Sequence, residues 1–185
     1  MSAYYLISQL PSLDGLGDGT PLPITEECFL ELCKRFLDKK AWDEMQSLTL
    51  VPPVTPQRKS SALLEAWYSG ERGLRLALAK VRADQMNRPF DVTNQNLSAE
   101  LFKTAREAVA VDNPLEAEKF LLQYRLHLLE AHRPLDSFSQ EYVFYYGLKL
   151  KLLQRIRGFD VKRGEAAYQN IYDSIINGDR AEAKR

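Results

Sequence analysis

A chain of 185 residues with 45% apolar and 27% charged side chains has the composition of a globular domain. At that length folding buries about 70% of the extended chain's surface, so neither a disulfide nor a metal is needed to hold a core. Lysine plus arginine equals aspartate plus glutamate, 25 of each, and that balance argues against nucleic acid or an anionic membrane as partner.

The charge is unevenly spread, net acidic over residues 1–50 and net basic over 151–185. Cys28 and Cys33 are five positions apart, about 140° around a helix, and cannot bridge within it. They read as small buried hydrophobes in a reducing compartment. No basic stretch and apolar run opens the chain, and no segment approaches the roughly 18 apolar residues of a membrane span. A cytoplasmic protein without membrane insertion is the expectation.

In chain order, Tyr4–Leu10 is a short apolar run that periodicity leaves open to strand or helix. Residues 14–23 are a loop by composition. Thr25 caps a helix to Phe36 or Leu37. Its first turn carries Glu26 and Glu27, its last Lys34 and Arg35, and Phe29, Leu32, Cys33 and Phe36 form its apolar face. A shorter helix is expected over Ala41–Leu48. VPPVTP at 51–56 breaks the pattern and suggests a hinge.

Ser60–Met86 follows, with Leu64, Trp67, Leu74, Leu78 and Val81 near one face. Gly70 and Gly73 point to a bend or break at its middle. Ser98 caps Ala99–Val111. Asp112 or Asn113, with Pro114 behind it, opens a helix to about Ala131. Leu115, Leu122, Leu126 and Leu129 form one stripe on it; Ala117, Leu121, Tyr124 and Leu128 form another. So wide an apolar arc predicts a central helix. Ser139–Arg157 is the next helix, with Tyr142, Tyr145, Tyr146, Leu152, Leu153 and Ile156 inward and Gly158 as its cap. The last helix, Val161–Asn177, carries Tyr168, Ile171, Tyr172 and Ile175 with Val161 on one stripe. The expected fold is an all-α, multi-helix bundle of amphipathic helices with a short, less regular N-terminal segment. Residues 1–56 form that subregion, packed on a bundle at 57–178, with a frayed tail at 179–185.

Reactive chemistry is hard to find. His127 and His132 are five apart and match no zinc spacing with the cysteines. Gly15, Gly17 and Gly19 lack the Lys-Ser/Thr ending of a phosphate loop. There is no GxSxG, and paired carboxylates such as Glu26/Glu27 and Glu116/Glu118 sit in first turns, where the helix dipole accounts for them. No catalytic residue, cofactor or metal is expected. The sharper feature is a basic face: Arg72, Arg75 and Arg82, at i, i+3 and i+10, with Lys80 nearby. Guanidinium forks on one face suit an acidic helix of a partner protein. Five aromatics within 138–146 exceed the need of one buried face, which nominates Phe144 as an interface anchor.

Four segments carry a resemblance: YYLISQLPSL (4–13), YSGERGLRLALAKVRA (68–83), NPLEAEKFLLQYRLHLLE (113–130) and FSQEYVFYYGLKLKLLQRIRGFDVKRG (138–164). Together they resemble a small bacterial family encoded within operons for V-type (A/V-type) ATPases. The resemblance implies association with that ATPase, in a role like that of its C-type (or d-type) component. That component is an all-helical funnel coupling the central rotor shaft to the membrane ring, and is a much longer, threefold-repeated protein. A non-enzymatic helical subunit or assembly factor is therefore expected, cytoplasmic and peripheral on the inner face of the membrane. The resemblance brings no site residue with it. A free-standing helical adaptor or regulator is the alternative.

Overall fold

The computed structural model describes residues 2–16, 20–54, 61–92, 97–159 and 164–173, and among them the regular structure is helical throughout. The order is α1 (Ser2–Gln9), α2 (Glu26–Phe36), α3 (Lys39–Gln46), α4 (Ala62–Gln85), α5 (Ala99–Val109), α6 (Pro114–Ala131) and α7 (Gln140–Arg157). A further helical stretch, α8, covers 164–173. The expected all-α class is observed. Tyr4–Leu10, open to strand or helix from sequence, falls largely within α1.

Side-chain caps place the helix starts. Thr25, Ser61, Ser98 and Ser139 each accept a hydrogen bond from the backbone N–H three residues on, as does Asp38 from Ala41. Asn113 accepts from Leu115, with Pro114 in the first helical position. Each cap satisfies a donor that helix geometry leaves orphaned and is worth about 1 kcal/mol. At the far end of α4, Asn87 takes the left-handed conformation (φ 52°). Arg88 N–H then reaches the Ala83 carbonyl and Asn87 N–H the Asp84 carbonyl, a Schellman closure.

Gly70 and Gly73 do not break α4, which runs unbroken for 24 residues. They admit neighbours instead. A Cβ on Gly70 would lie 2.8 Å from a methyl of Leu128 in α6, and one on Gly73 would lie 3.1 Å from a methyl of Leu101 in α5. Each glycine lowers helix propensity by about 1 kcal/mol, and at both positions a leucine of a neighbouring helix occupies the space that a side chain would take.

Two apolar clusters result. The larger joins Leu6, Phe29, Cys33, Ala41, Met45 and Leu48 of the N-terminal region to Leu63, Leu64 and Trp67 of α4 and to α7. The smaller joins Leu74, Ala77 and Leu78 of α4 to Ala105 and Ala108 of α5 and Leu121 of α6. The hinge at 51–56 is described only as far as Val54. There the Pro53 carbonyl accepts a hydrogen bond from Arg72. The 56/57 boundary and the tail at 179–185 lie outside the described residues.

The central helix is α7, not α6. It packs against α1, α2, α3, α4 and α6, and every residue from Val143 to Leu150 is buried. Gly147 lets it approach Leu48, Phe29 and Met45, which would lie 3.0–3.3 Å from an added Cβ. Helix α6 keeps a solvent face at Glu116, Gln123 and His127. Cys33 is buried as expected, and burial pushes its thiol up to about 12. Cys28 is exposed, contrary to expectation, because it points away from the Phe29/Cys33 face. The stripe assigned to the last helix is not an inner face either. Tyr168, Ile171 and Tyr172 are exposed, with Tyr168 and Tyr172 stacked on each other; Val161 and Ile175 lie outside the described residues.

A polar clasp ties the N-terminal segment to α7. The Lys149 ammonium, 10% exposed, donates to Asp14 (2.5 Å), Glu130 (2.6 Å) and the Tyr145 hydroxyl (3.2 Å). Tyr145 donates to Glu130, and Tyr146 donates to the Pro11 carbonyl. The hydrogen bond from Lys149 holds the Asp14 carboxyl below its ordinary 3.8. Burial pushes Glu130 up, but the bonds from Lys149 and Tyr145 outweigh it and leave the carboxyl below 4.5. Both folded values are depressed, so the clasp's contribution is complete above the ordinary carboxyl range and is lost as pH falls through the lowered values. Amide protection factors over 10–16 and α1 should therefore drop below about pH 4 while those of α4 hold. Lys149→Met should show the loosened segment already at neutral pH. Protection of 10–16 that does not change with pH would contradict this.

Candidate functional site

One concave site combines charge with depth. Between α4 and α6, bordered by Leu50 and Val51 and by α7, lies a cleft of about 390 Å³. Arg75 and Arg82 from α4, Arg125 from α6 and Arg155 from α7 line it, together with Glu71 and Glu118. Its apolar lining is Leu50, Val51, Leu78, Ala79, Leu121 and Leu122.

A chain of ion pairs fixes these side chains. Glu71 is fully buried (0% exposed), one turn from Arg75 on α4. Arg125 meets it with both arms of its fork, Nε to Oε2 at 2.9 Å and Nη2 to Oε1 at 3.1 Å. Arg75 donates Nε to the same Oε1 at 2.8 Å. Arg125 Nη1 then approaches Glu118 at 3.6 Å. Glu118 Oε1 accepts a hydrogen bond from Arg155 Nε at 2.9 Å and lies 2.8 Å from Nη2 in the same ion pair. The order is Arg75–Glu71–Arg125–Glu118–Arg155, alternating in sign, buried at its middle and open at both ends: Arg75 is 44% and Arg155 52% exposed. A two-armed guanidinium–carboxylate pair sets orientation as well as distance.

Of the residues proposed from sequence, the structure brings Arg75 and Arg82 together at this cleft and sets Arg72 apart. Arg72 donates to the Pro53 carbonyl at 3.2 Å and does not line the cleft. Phe144 is corrected outright: it is 1% exposed and belongs to the main core. Because α7 is enclosed by five helices, aromatics all round it are core. The exposed aromatic surface lies nearby, where Phe138 packs against Tyr4 with ring centres 4.8 Å apart.

Glu71, Arg125 and Arg155 are the members that the sequence reading passes over, and Glu118, put down there to the helix dipole, lies beyond the first turn of α6 and pairs with Arg155 instead. Arg125 carried a signal. It falls between Leu121 and Leu122 on one side and Leu129 on the other, inside the apolar arc of α6, and a charge there requires a partner. The partner itself is 54 positions away and has no local mark.

Among the residues lining the cleft there is no histidine, cysteine or hydroxyl. His127 and His132 are both exposed, and the His132 ring sits 2.9 Å from the Leu128 carbonyl. Among the described residues no group of three histidine, cysteine or acidic side chains could hold a metal, and no helix is long and apolar enough to cross a membrane. The arrangement is suited to binding anions. Comparison with protein-family models, curated proteins and solved structures returns no match to this chain.

Removing one member of a buried pair strands the other, at a cost of about 3–5 kcal/mol, whereas replacing both by apolar residues is often near neutral. Arg125→Met should therefore destabilise the protein by about that amount in urea unfolding. Glu71→Met combined with Arg125→Met should recover most of the loss. A double variant whose loss is the sum of the two singles would show that the pair is not coupled.

Proposed function

We propose that this chain is a non-enzymatic helical subunit or assembly factor of a bacterial V-type ATPase. In this reading it docks on the central rotor or the membrane ring and contributes to coupling them, as the ATPase's helical funnel does. The reading rests on the resemblance carried by 4–13, 68–83, 113–130 and 138–164, and on an all-helical fold compatible with it. The observation that carries the docking role is the cleft, in which four arginines from three helices converge over a fixed pair of carboxylates. A coupler must be stiff, and close-packed helices that interlock through glycine contacts resist deformation. Nucleotide hydrolysis and ion transport would belong to other subunits. The protein would sit in the cytoplasm, peripheral to the inner face of the membrane through the complex.

The test is recovery of the ATPase from its native host under mild detergent, with the chromosomal copy of this gene tagged. The ATPase subunits should accompany the tagged chain, and deleting the gene should lower assembled or coupled ATPase. A tagged chain that never carries ATPase subunits, with pumping unchanged on deletion, would contradict the reading in favour of a free-standing adaptor.

A further inference from the structure

The cleft holds an excess of positive charge that the fold itself leaves unanswered. Four guanidiniums face two carboxylates. Arg125 is 8% exposed, yet its Nη1 is 3.6 Å from Glu118, too far for a hydrogen bond. That nitrogen is not sealed in the core: among the described residues the buried side-chain nitrogen without a partner is Trp67 Nε1. Arg75 spends its Nε on Glu71 and neither Nη. Arg82 is exposed, and its side chain has no ion-pair partner among the described residues.

These donors have a spacing and a setting. Arg75 and Arg82 are seven positions apart on α4, two turns, about 10.5 Å along nearly the same side. Between them Leu78 and the small Ala79 line the cleft, with Leu121 and Leu122 of α6. No aromatic ring lines the cleft to stack a nucleobase. At about 390 Å³ it has room for far more than one small ion, a single water taking about 30 Å³. Two unanswered positive charges on either side of an aliphatic floor match two carboxylates on either side of an aliphatic side chain.

We propose that the cleft recognises a short acidic and aliphatic helical segment of a partner polypeptide. One of its carboxylates lies on Arg82. A second, two turns away, lies on the end formed by Arg75, Arg125 and Arg155, and an aliphatic side chain between them rests on Leu78 and Leu121. This inference rests on the reading of the cleft as a docking site, not on the ATPase being the partner.

The test uses the full chain and a synthetic peptide of about 16 residues, long enough to be helical. The peptide carries two glutamates seven positions apart with leucine midway, and binding is followed by the arginine side-chain Nε–H resonances. We expect saturable shifts at Arg75, Arg82 and Arg155. Affinity should fall at least about tenfold when glutamine replaces both glutamates, or in Arg82→Glu, a substitution at an exposed site that spares the buried pair. Arg155→Gln should weaken binding as well, and Arg72→Glu should not. The proposal is overturned if the peptide gives no saturable shift up to millimolar concentration, if the glutamine version binds equally, or if inorganic pyrophosphate binds more tightly than the glutamate peptide. Peptide binding by a chain that never carries ATPase subunits would keep this inference and remove the ATPase reading. ATPase recovery undiminished by Arg82→Glu, with no peptide binding, would do the reverse.

Discussion

Glu71 and Arg125 meet at the seam between the two apolar clusters. On α4, Tyr68 belongs to the larger cluster and Leu74 to the smaller, with Glu71 between them. On α6, Leu121 and Leu122 divide between the two clusters, and Arg125 follows one turn later. The seam therefore carries a charge from each helix. Neither could be buried alone, since an unpaired ion in the interior costs several kcal/mol. The pair fixes how α4 lies on α6 at the point where Gly70 brings Leu128 closest. The two-armed pair ties α4 to α6 at a defined distance and orientation.

The same pair shapes the surface. With both arms of Arg125 committed to Glu71, its remaining nitrogen, Arg75 and Glu118 are placed around the cleft without needing a ligand. Groups held this way are ordered in the free protein, so fixing them costs little further side-chain entropy. The Lys149 clasp follows a related design: a charged residue on an otherwise buried face of α7 gathers Asp14 and Glu130 from two other parts of the chain. Long-range ion pairs laid across well-packed helices thus tie distant parts of the chain together.

What the sequence made legible was local. Thr25, Ser98 and Asn113 with Pro114 marked helix starts, because a cap acts within three residues of itself. Gly70 and Gly73 misled, because propensity speaks of an isolated helix while Leu128 and Leu101 occupy the room those glycines leave. Phe144 misled for a similar reason: a helix wrapped by five others has no spare face, and enclosure is a property of the assembled fold. Arg75 and Arg82 could be nominated from their spacing on one helix. Arg72 separated from them once the chain at Pro53 came within reach. The pairs Glu71–Arg125 and Glu118–Arg155 span 54 and 37 positions, and no periodicity within a helix encodes them.

Arg125 is locked onto Glu71 in the free protein. Hydrogen exchange at the Arg125 side-chain Nε–H, followed by NMR on the free protein, tests this most directly. Slow exchange is expected, comparable with core amides and insensitive to added salt, because a buried pair is weakly screened. Exchange as fast as at exposed Arg82 would show that the pair is not formed in solution and that the cleft has no fixed floor.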